Sequence, residues 1–170
     1  MIRTETVLDS WKTVRQDTVQ AVEDFPASEM DYKPAEDLMS FREIARHILD
    51  AGHALTGLLL DGVDNLKTPQ FREMLKKHIP EGLEHADAPT LASHLRTSID
   101  TRIAEIAAQP PEFFSHIITR FDGLQVTRLE MLQFVKEHEL THRAQLFMYL
   151  RLKGIVPSTT RRRMAAQQRA

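Results

Sequence analysis

Apolar positions recur every three or four residues along most of the chain, which is the pattern of amphipathic α-helices. Four long segments show this pattern, at residues 4–24, 41–60, 90–109 and 128–153. Two of them begin with a capping box, in which Ser40 precedes Glu43, or Thr127 precedes Glu130, by three residues. Four such helices predict an all-α protein folded as a four-helix bundle.

The connections between the predicted helices differ in length. Residues 63–89 separate the second helix from the third, and they include the pattern of a short helix that starts after Pro69 and ends near residue 78. This insert is long enough to travel the length of a helix, so the second and third helices can run parallel. Asp122 and Gly123 separate two short apolar runs and predict a small β-hairpin.

The length of 170 residues fits one domain. We assign residues 1–157 to the bundle and residues 158–170 to a basic tail, whose arginines we expect to be solvated. The net charge of -2 gives no support to nucleic-acid binding, and no apolar run approaches the roughly 20 residues that cross a bilayer. The first residues lack the apolar core of a secretory signal. We therefore expect a cytoplasmic protein that binds neither nucleic acid nor membrane.

The chain contains no cysteine. Disulfides, thiolate metal ligands and a cysteine nucleophile are therefore excluded. Any thiol that takes part in the chemistry must arrive as a small molecule.

The most informative motif is the HExxH pattern formed by His138, Glu139 and His142 in the last long helix. Residues four apart lie on one helix face, so the two imidazoles can converge on one metal ion. The pattern places both histidines on the predicted apolar stripe with Val135 and Tyr149. Two core histidines held only by hydrogen bonds are the alternative interpretation.

His47 is the matching polar residue on the apolar stripe of the second helix. Three inward histidines suit zinc with one open position, or nickel or iron with more open positions. Asp50 and Gln145 lie one turn beyond His47 and His142, and each is a candidate to accept the second N–H of a ligating imidazole. We expect the remaining histidines to be exposed or peripheral: His53, His78, His85, His94 and His116.

A zinc peptidase would use Glu139 as general base and would normally take a third metal ligand from downstream. Residues 143–170 contain no Asp, Glu, His or Cys, which disfavours a peptidase. Arg143 follows Glu139 by four residues, so we expect a helix-surface ion pair between them.

The chain resembles the DinB superfamily over most of its length. The matching segments are Tyr-Lys-Pro-Ala at 32–35, Ile-Ala-Arg-His-Ile-Leu at 44–49, His-Glu-Leu-Thr-His-Arg-Ala-Gln at 138–145 and Tyr-Leu-Arg-Leu-Lys-Gly at 149–154. The resemblance implies an up-down-down-up four-helix bundle, commonly homodimeric, with a divalent metal held by the residues that match His47, His138 and His142. Ala144 departs from the glycine that is frequent there, and the long insert is a second departure.

Characterised members of that superfamily include bacillithiol S-transferases and mycothiol-dependent maleylpyruvate isomerases. The resemblance therefore implies a metal-dependent transferase of a low-molecular-weight thiol, with a small-molecule thiol and an electrophile as partners. A metal-dependent hydrolase and a non-catalytic metal- or ligand-binding bundle remain alternatives. Zinc or nickel is the first expectation for the metal, with iron or manganese after them.

Overall fold

The computed structural model describes residues 3–169, so Met1, Ile2 and Ala170, at the ends of the predicted domain and tail, lie outside the described residues. The helices are α1 (Thr4–Asp24), α2 (Phe41–Leu60), α3 (Phe71–Lys76), α4 (Ala88–Ala107), α5 (Pro111–Ser115), α6 (Arg128–Leu152) and α7 (Ser158–Gln167), and the strands are β1 (Ile117–Thr119) and β2 (Gln125–Thr127). The four predicted long helices, the short helix of the insert and the hairpin are confirmed.

Both predicted capping boxes are formed, and they fix the starts of α2 and α6. The Ser40 hydroxyl accepts from the Glu43 amide, and the Glu43 carboxylate accepts from the Ser40 amide at 2.6 Å. In the same way, the Thr127 hydroxyl accepts from the Glu130 amide, and the Glu130 carboxylate accepts from the Thr127 amide at 2.7 Å. These boxes satisfy amides that would otherwise lack partners at the two helices that carry His47, His138 and His142.

The contacts of α4 establish the direction of two neighbouring helices. Glu23 at the end of α1 pairs with Arg96 near the middle of α4 at 2.6 Å, whereas Lys12 pairs with Asp100 farther along α4 at 3.5 Å. These two helices are therefore antiparallel. Arg42 at the start of α2 donates to the Ala86 carbonyl just before α4. Farther along both helices, the His53 ring lies 2.9 Å from the Ser98 hydroxyl, so α2 and α4 run parallel.

The last long helix, α6, runs parallel to α1. Trp11 in α1 donates to Glu139 in α6, and the next turns are joined by Asp17 and Arg143 at 3.6 Å. At the far end of α6, the Tyr149 hydroxyl donates to the carbonyl just before α2, which makes α2 and α6 antiparallel. The order is therefore up, down, down, up, as predicted, and the insert is the crossover between the two parallel helices.

The apolar core consists of two clusters stacked along the bundle. One surrounds Phe25, Phe41 and Leu95, and the other surrounds Trp11, Leu58 and Met131. Burial of this many apolar side chains supplies the main driving force for folding. Along residues 3–169, none of the helices has both the length and the apolar character needed to cross a membrane.

The beginning of the insert is fixed to the hairpin. The Leu66 amide donates to the Thr119 carbonyl at 2.8 Å, and the Thr119 amide donates to the Asp64 carbonyl at 2.7 Å. The Leu66 side chain is fully buried beneath this connection. The insert therefore extends the small sheet before it enters α3.

The end of the insert is fixed to α2. The His78 imidazole packs on Gly57 and lies 2.7 Å from the Asp61 carboxylate, while Arg46 donates to the Pro80 carbonyl at 2.8 Å. Contacts at both ends hold α3 against the bundle.

We expect Gly57→Ala to destabilise the protein, although alanine is the better helix former. A methyl group at Gly57 would lie 2.5 Å from ring atoms of His78, so the ring and the insert must move. The expected loss is about 1–3 kcal/mol of unfolding free energy, measured by urea denaturation. The same substitution in a His78→Ala background should cost nothing or stabilise. Stabilisation by Gly57→Ala alone would contradict the packing of His78.

Most of the predicted tail forms a helix, α7, that packs on α1. The Ser158 hydroxyl and Arg162 both donate to the buried carboxylate of Asp17, at 3.1 and 2.7 Å, and Arg161 pairs with Asp24 at 2.7 Å. Buried carboxylates require donors, and α7 supplies them. The arginines of α7 are nevertheless exposed, as expected, and two of them also pair with acidic residues of α1 that lie more than 100 positions away in the chain.

Candidate metal centre

The structure brings the three predicted histidines together at one place between α2 and α6. Nitrogen atoms of His47, His138 and His142 that could bind a metal all lie within 4.8 Å of one another. The Nε2 atoms of His47 and His138 are 3.1 Å apart. The ring centroids of the three histidines are 4.5 to 4.9 Å apart, with the rings steeply inclined to one another.

This arrangement fits a small divalent ion. Metal–nitrogen bonds of about 2.0–2.1 Å in tetrahedral geometry place two ligand atoms about 3.3 Å apart. The separation between His47 and His138 is close to that value, and the remaining pairs lie within 4.8 Å. Within residues 3–169, the cluster contains no fourth His, Asp or Glu, so a bound ion would keep at least one position for another molecule.

The surroundings favour neutral imidazoles, which are the form that binds metals. Burial lowers the pKa of His47, and burial together with the neighbouring imidazoles lowers the pKa of His138 to about 4. The Nδ1 atom of His142 lies 2.7 Å from the Gln145 amide oxygen. In a neutral His142 imidazole, a hydrogen bond to that oxygen places the proton on Nδ1 and leaves the Nε2 lone pair for a metal, which is the role predicted for Gln145.

The histidines lie at the edge of the core, which corrects the predicted stripe of α6. All three are partly buried, and Gln145 in the same stripe is exposed. Val135 and Tyr149 of that stripe are buried as predicted, but the buried face continues through Leu132, Glu139 and Leu146 and not through the histidines. The histidine pattern was read as the centre of the apolar face, whereas it marks the boundary between the core and an open pocket.

The Asp50 carboxylate is hydrogen-bonded to Arg46 and not to His47, which corrects the second candidate for an imidazole partner. Its carboxylate accepts from Arg46 at 2.7 and 2.8 Å, and Arg46 in turn holds the insert at Pro80. Burial raises the pKa of Asp50, and the Arg46 guanidinium opposes that shift. Asp50 therefore connects the pocket wall to the insert.

Glu139 faces away from the histidines and into the core. Its carboxylate accepts four hydrogen bonds, from Trp11 Nε1 at 2.7 Å, from Arg15 at 2.7 and 2.9 Å, and from the Thr18 hydroxyl at 2.8 Å. The predicted surface pair with Arg143 is therefore wrong. A carboxylate with its lone pairs occupied by buried donors is not placed to act as the base of a peptidase.

Arg15 extends this network to all four long helices. It binds Glu139 of α6, donates to the Leu95 carbonyl of α4 at 3.0 Å, and lies against Gly52 of α2, where a methyl group would be 3.0 Å from Nη2. Arg15 was not among the functional residues predicted from the sequence. Its spacing from Trp11 and Thr18 puts these three residues on one face of α1, and a charge on that face was the available signal.

A pocket of about 310 Å³ opens beside the histidines. His47 and His138 form one end of it, and α3 and the hairpin supply apolar walls that include Phe71, Leu75 and Phe121. A volume in this range is typical of sites for small molecules. The insert, whose role the sequence left open, forms part of this pocket.

A sequence model of the DinB family matches residues 1–169. The chain belongs to the DinB family. It is 26% identical to the uncharacterised protein YjoA of Bacillus subtilis over 156 residues, which cover 91% of this chain and 93% of YjoA. The crystal structure of that DinB-like protein superposes with a TM-score of 0.69 and covers 88% of this chain and 92% of the YjoA chain.

Two more distant structures share the DinB fold. YfiT of Bacillus subtilis, described as a probable metal-dependent hydrolase with an unusual four-helix bundle topology, gives a TM-score of 0.70 at 17% identity, with 91% of each chain covered. The mycothiol-dependent maleylpyruvate isomerase gives 0.64 at 12% identity, covering 85% of this chain and 61% of that one. At these identities the likeness concerns the fold.

The other histidines of this DinB protein lie outside the cluster. His53 contacts Ser98 between α2 and α4, and burial with the charge of Arg102 lowers the pKa of His53 to about 4. His78 holds the insert, and the side chains of three others are exposed: His85, His94 and His116. The prediction that all five are peripheral to the cluster agrees with their positions.

Proposed function

We propose that this protein is an enzyme that binds one divalent ion, zinc or nickel, through His47, His138 and His142, and that it transfers a small-molecule thiol to an electrophile. The observation that carries the proposal is the convergence of these three imidazoles within 4.8 Å at the end of a pocket. Three ligands leave room at the ion, as in catalytic sites, whereas structural zinc sites typically have four protein ligands.

The composition of the chain supports a thiol from solution. With no cysteine, the protein has no sulfur nucleophile of its own. A divalent ion at the histidines would supply Lewis acidity that lowers the pKa of a thiol or of water. The pocket beside His138 would hold the electrophile, so the two reactants would meet at one end of it. The sulfur then bonds to the electrophilic carbon, the thiol proton passes to solvent, and the leaving group departs.

In this proposal, the residues around the cluster position the metal-binding histidines and do not transfer protons. Gln145 holds the Nδ1 proton of His142 and directs Nε2 to the ion. Glu139 fixes the rotation of α6 through its bonds to Arg15 and Trp11. Both contacts hold His138 and His142 in the orientation in which their lone pairs converge.

Hydrolysis is the second candidate. YfiT, which shares the fold, is described as a probable metal-dependent hydrolase. The same histidines and the same open position would serve a water molecule as well as a thiol. The homodimer that the family resemblance implies stays a prediction.

Cobalt-substituted protein provides the test. Bacillithiol, mycothiol, glutathione and coenzyme A would be titrated separately, and we expect one of them to produce a sulfur-to-cobalt charge-transfer band. The same thiol should be conjugated to 1-chloro-2,4-dinitrobenzene by metal-loaded protein, with chloride released. The rate should fall to background in His142→Ala, while His94→Ala, a change at an exposed histidine of α4, should leave it unchanged.

Three outcomes would overturn the transferase proposal. Metal bound without any thiol band, together with metal-dependent ester hydrolysis, would favour the hydrolase. Metal bound with neither activity would favour a non-catalytic bundle. Full metal content in a variant that lacks all three histidines would place the metal elsewhere.

A further inference from the structure

The pocket beside the histidines has a nearly continuous apolar wall. Leu55 of α2, Phe71 and Leu75 of α3, and Phe134 of α6 contribute to this wall, and Phe121 at the hairpin closes one side. These side chains come from segments that are distant in sequence. Since α3 is tied at one end to the hairpin and at the other to α2, the wall is built into the fold.

Aromatic rings lead from the insert to the candidate metal centre. The rings of Phe71 and Phe121 stack with centroids 5.6 Å apart, and Phe121 meets Phe134 edge to face, also at 5.6 Å. Phe134 then lies 6.4 Å from the His138 ring in a roughly parallel orientation. A series of rings at these separations offers both faces and edges to a further aromatic ring.

The charged groups near this wall are already paired. Asp50, which lines the pocket, is held by Arg46, and Arg120, whose guanidinium stacks 4.8 Å above the Phe134 ring, is paired with Asp122. An anionic ligand would have to break one of these pairs to gain a partner. An uncharged ligand would leave both intact, so the wall favours ligands without charge.

Another cavity, between α1 and α4, is larger but has a different character. Its volume is about 370 Å³, and its lining includes Lys12, Glu23, Arg96 and Asp100, which pair with one another across the two helices. It lies away from the histidines. The apolar pocket is therefore the one that combines a ligand-sized volume with the candidate metal centre.

We propose that this pocket binds the uncharged aromatic part of the electrophilic substrate. This inference rests on the proposed function, because the reacting atom of the substrate has to face the metal centre. The ring lies against Phe71, Phe121 and Phe134, with its substituent directed to His138. The insert between α2 and α4 thereby determines the substrate class.

Binding of N-phenyl-1-naphthylamine, an uncharged aromatic dye, provides the test. The fluorescence of the dye should rise when it binds, with one dye molecule bound per chain, in both metal-free and metal-loaded protein. Phe121→Ala removes one ring of the wall, and Ala51→Phe fills the pocket from α2; each should weaken binding about tenfold or more with unchanged metal content. Leu124→Ala is the matched control, because Leu124 belongs to the same hairpin and its side chain is 56% exposed.

Competition defines the chemical class. In metal-free protein, 1-naphthol should displace the dye several-fold better than decahydro-1-naphthol, which has the same skeleton without aromatic rings, and better than 1-naphthalenesulfonate. Equal displacement by the saturated or the charged compound, or dye binding that ignores both Phe121→Ala and Ala51→Phe, would overturn the inference. Metal analysis of the same samples reports separately on the proposed function.

Discussion

Glu139→Gln should lower the free energy of unfolding by about 3–5 kcal/mol, the cost of leaving one partner of a buried ion pair without the other. The Arg15 and Glu139 side chains are only 2% and 3% exposed, so water cannot solvate the Arg15 guanidinium once its charged partner is removed. In a chain of this size the loss corresponds to a melting temperature lower by about 10 °C. Urea denaturation and calorimetry would measure both quantities.

Glu137→Gln is the matched control, because it is the same chemical change two residues away on the exposed face of α6. We expect it to change stability by less than about 0.5 kcal/mol. The double variant Arg15→Met with Glu139→Leu removes both charges and should recover much of the loss, since apolar replacement of a buried pair is often nearly neutral. Equal effects of Glu139→Gln and Glu137→Gln would contradict the assigned network.

This network changes the interpretation of the HExxH motif. Two residues of the motif, His138 and His142, face the candidate metal centre, and Glu139 between them faces Arg15 in the core. Neighbouring positions on a helix point in directions about 100° apart, so one short motif serves two sides of α6. We therefore interpret the motif as a metal-binding pair joined to a structural anchor.

The sequence predicted the bundle because its signals are local. The capping boxes at Ser40 and Thr127 and the apolar periodicity each depend on residues close together in the chain. The pairing of His47 with the HExxH motif could also be predicted, because a histidine on an apolar stripe is unusual and needs a partner. The family resemblance contributed the up-down-down-up order.

The rest depends on contacts between distant segments. The pairs of Glu139 with Arg15 and of Asp17 with Arg162 join residues more than 100 positions apart, and a local rule pairs each charge with its nearest neighbour instead. The same reason explains the pocket. Phe71 and Phe121 meet because the insert, which carries α3, is bridged to β1.

Metal binding should stabilise the folded protein, and the loss of one histidine should abolish that effect. With free zinc at about one hundred times its dissociation constant, the unfolding free energy should rise by about 2.7 kcal/mol. The metal-free protein should nevertheless stay folded after chelation, because the two apolar clusters and the Arg15 network do not involve the histidines. Thermal melting with and without chelator would separate these effects.

Single substitutions should weaken zinc binding to different extents, depending on whether they remove a ligand, the partner of a ligand or a distant histidine. His138→Ala removes one of three ligands and should weaken zinc binding by more than about 100-fold, whereas Gln145→Ala removes only the partner of His142 and should weaken it about tenfold. His94→Ala, at an exposed histidine of α4, should leave both affinity and stabilisation unchanged. Isothermal titration with zinc would measure the series. If His138→Ala and His94→Ala bound zinc alike, the ion would not be held between α2 and α6.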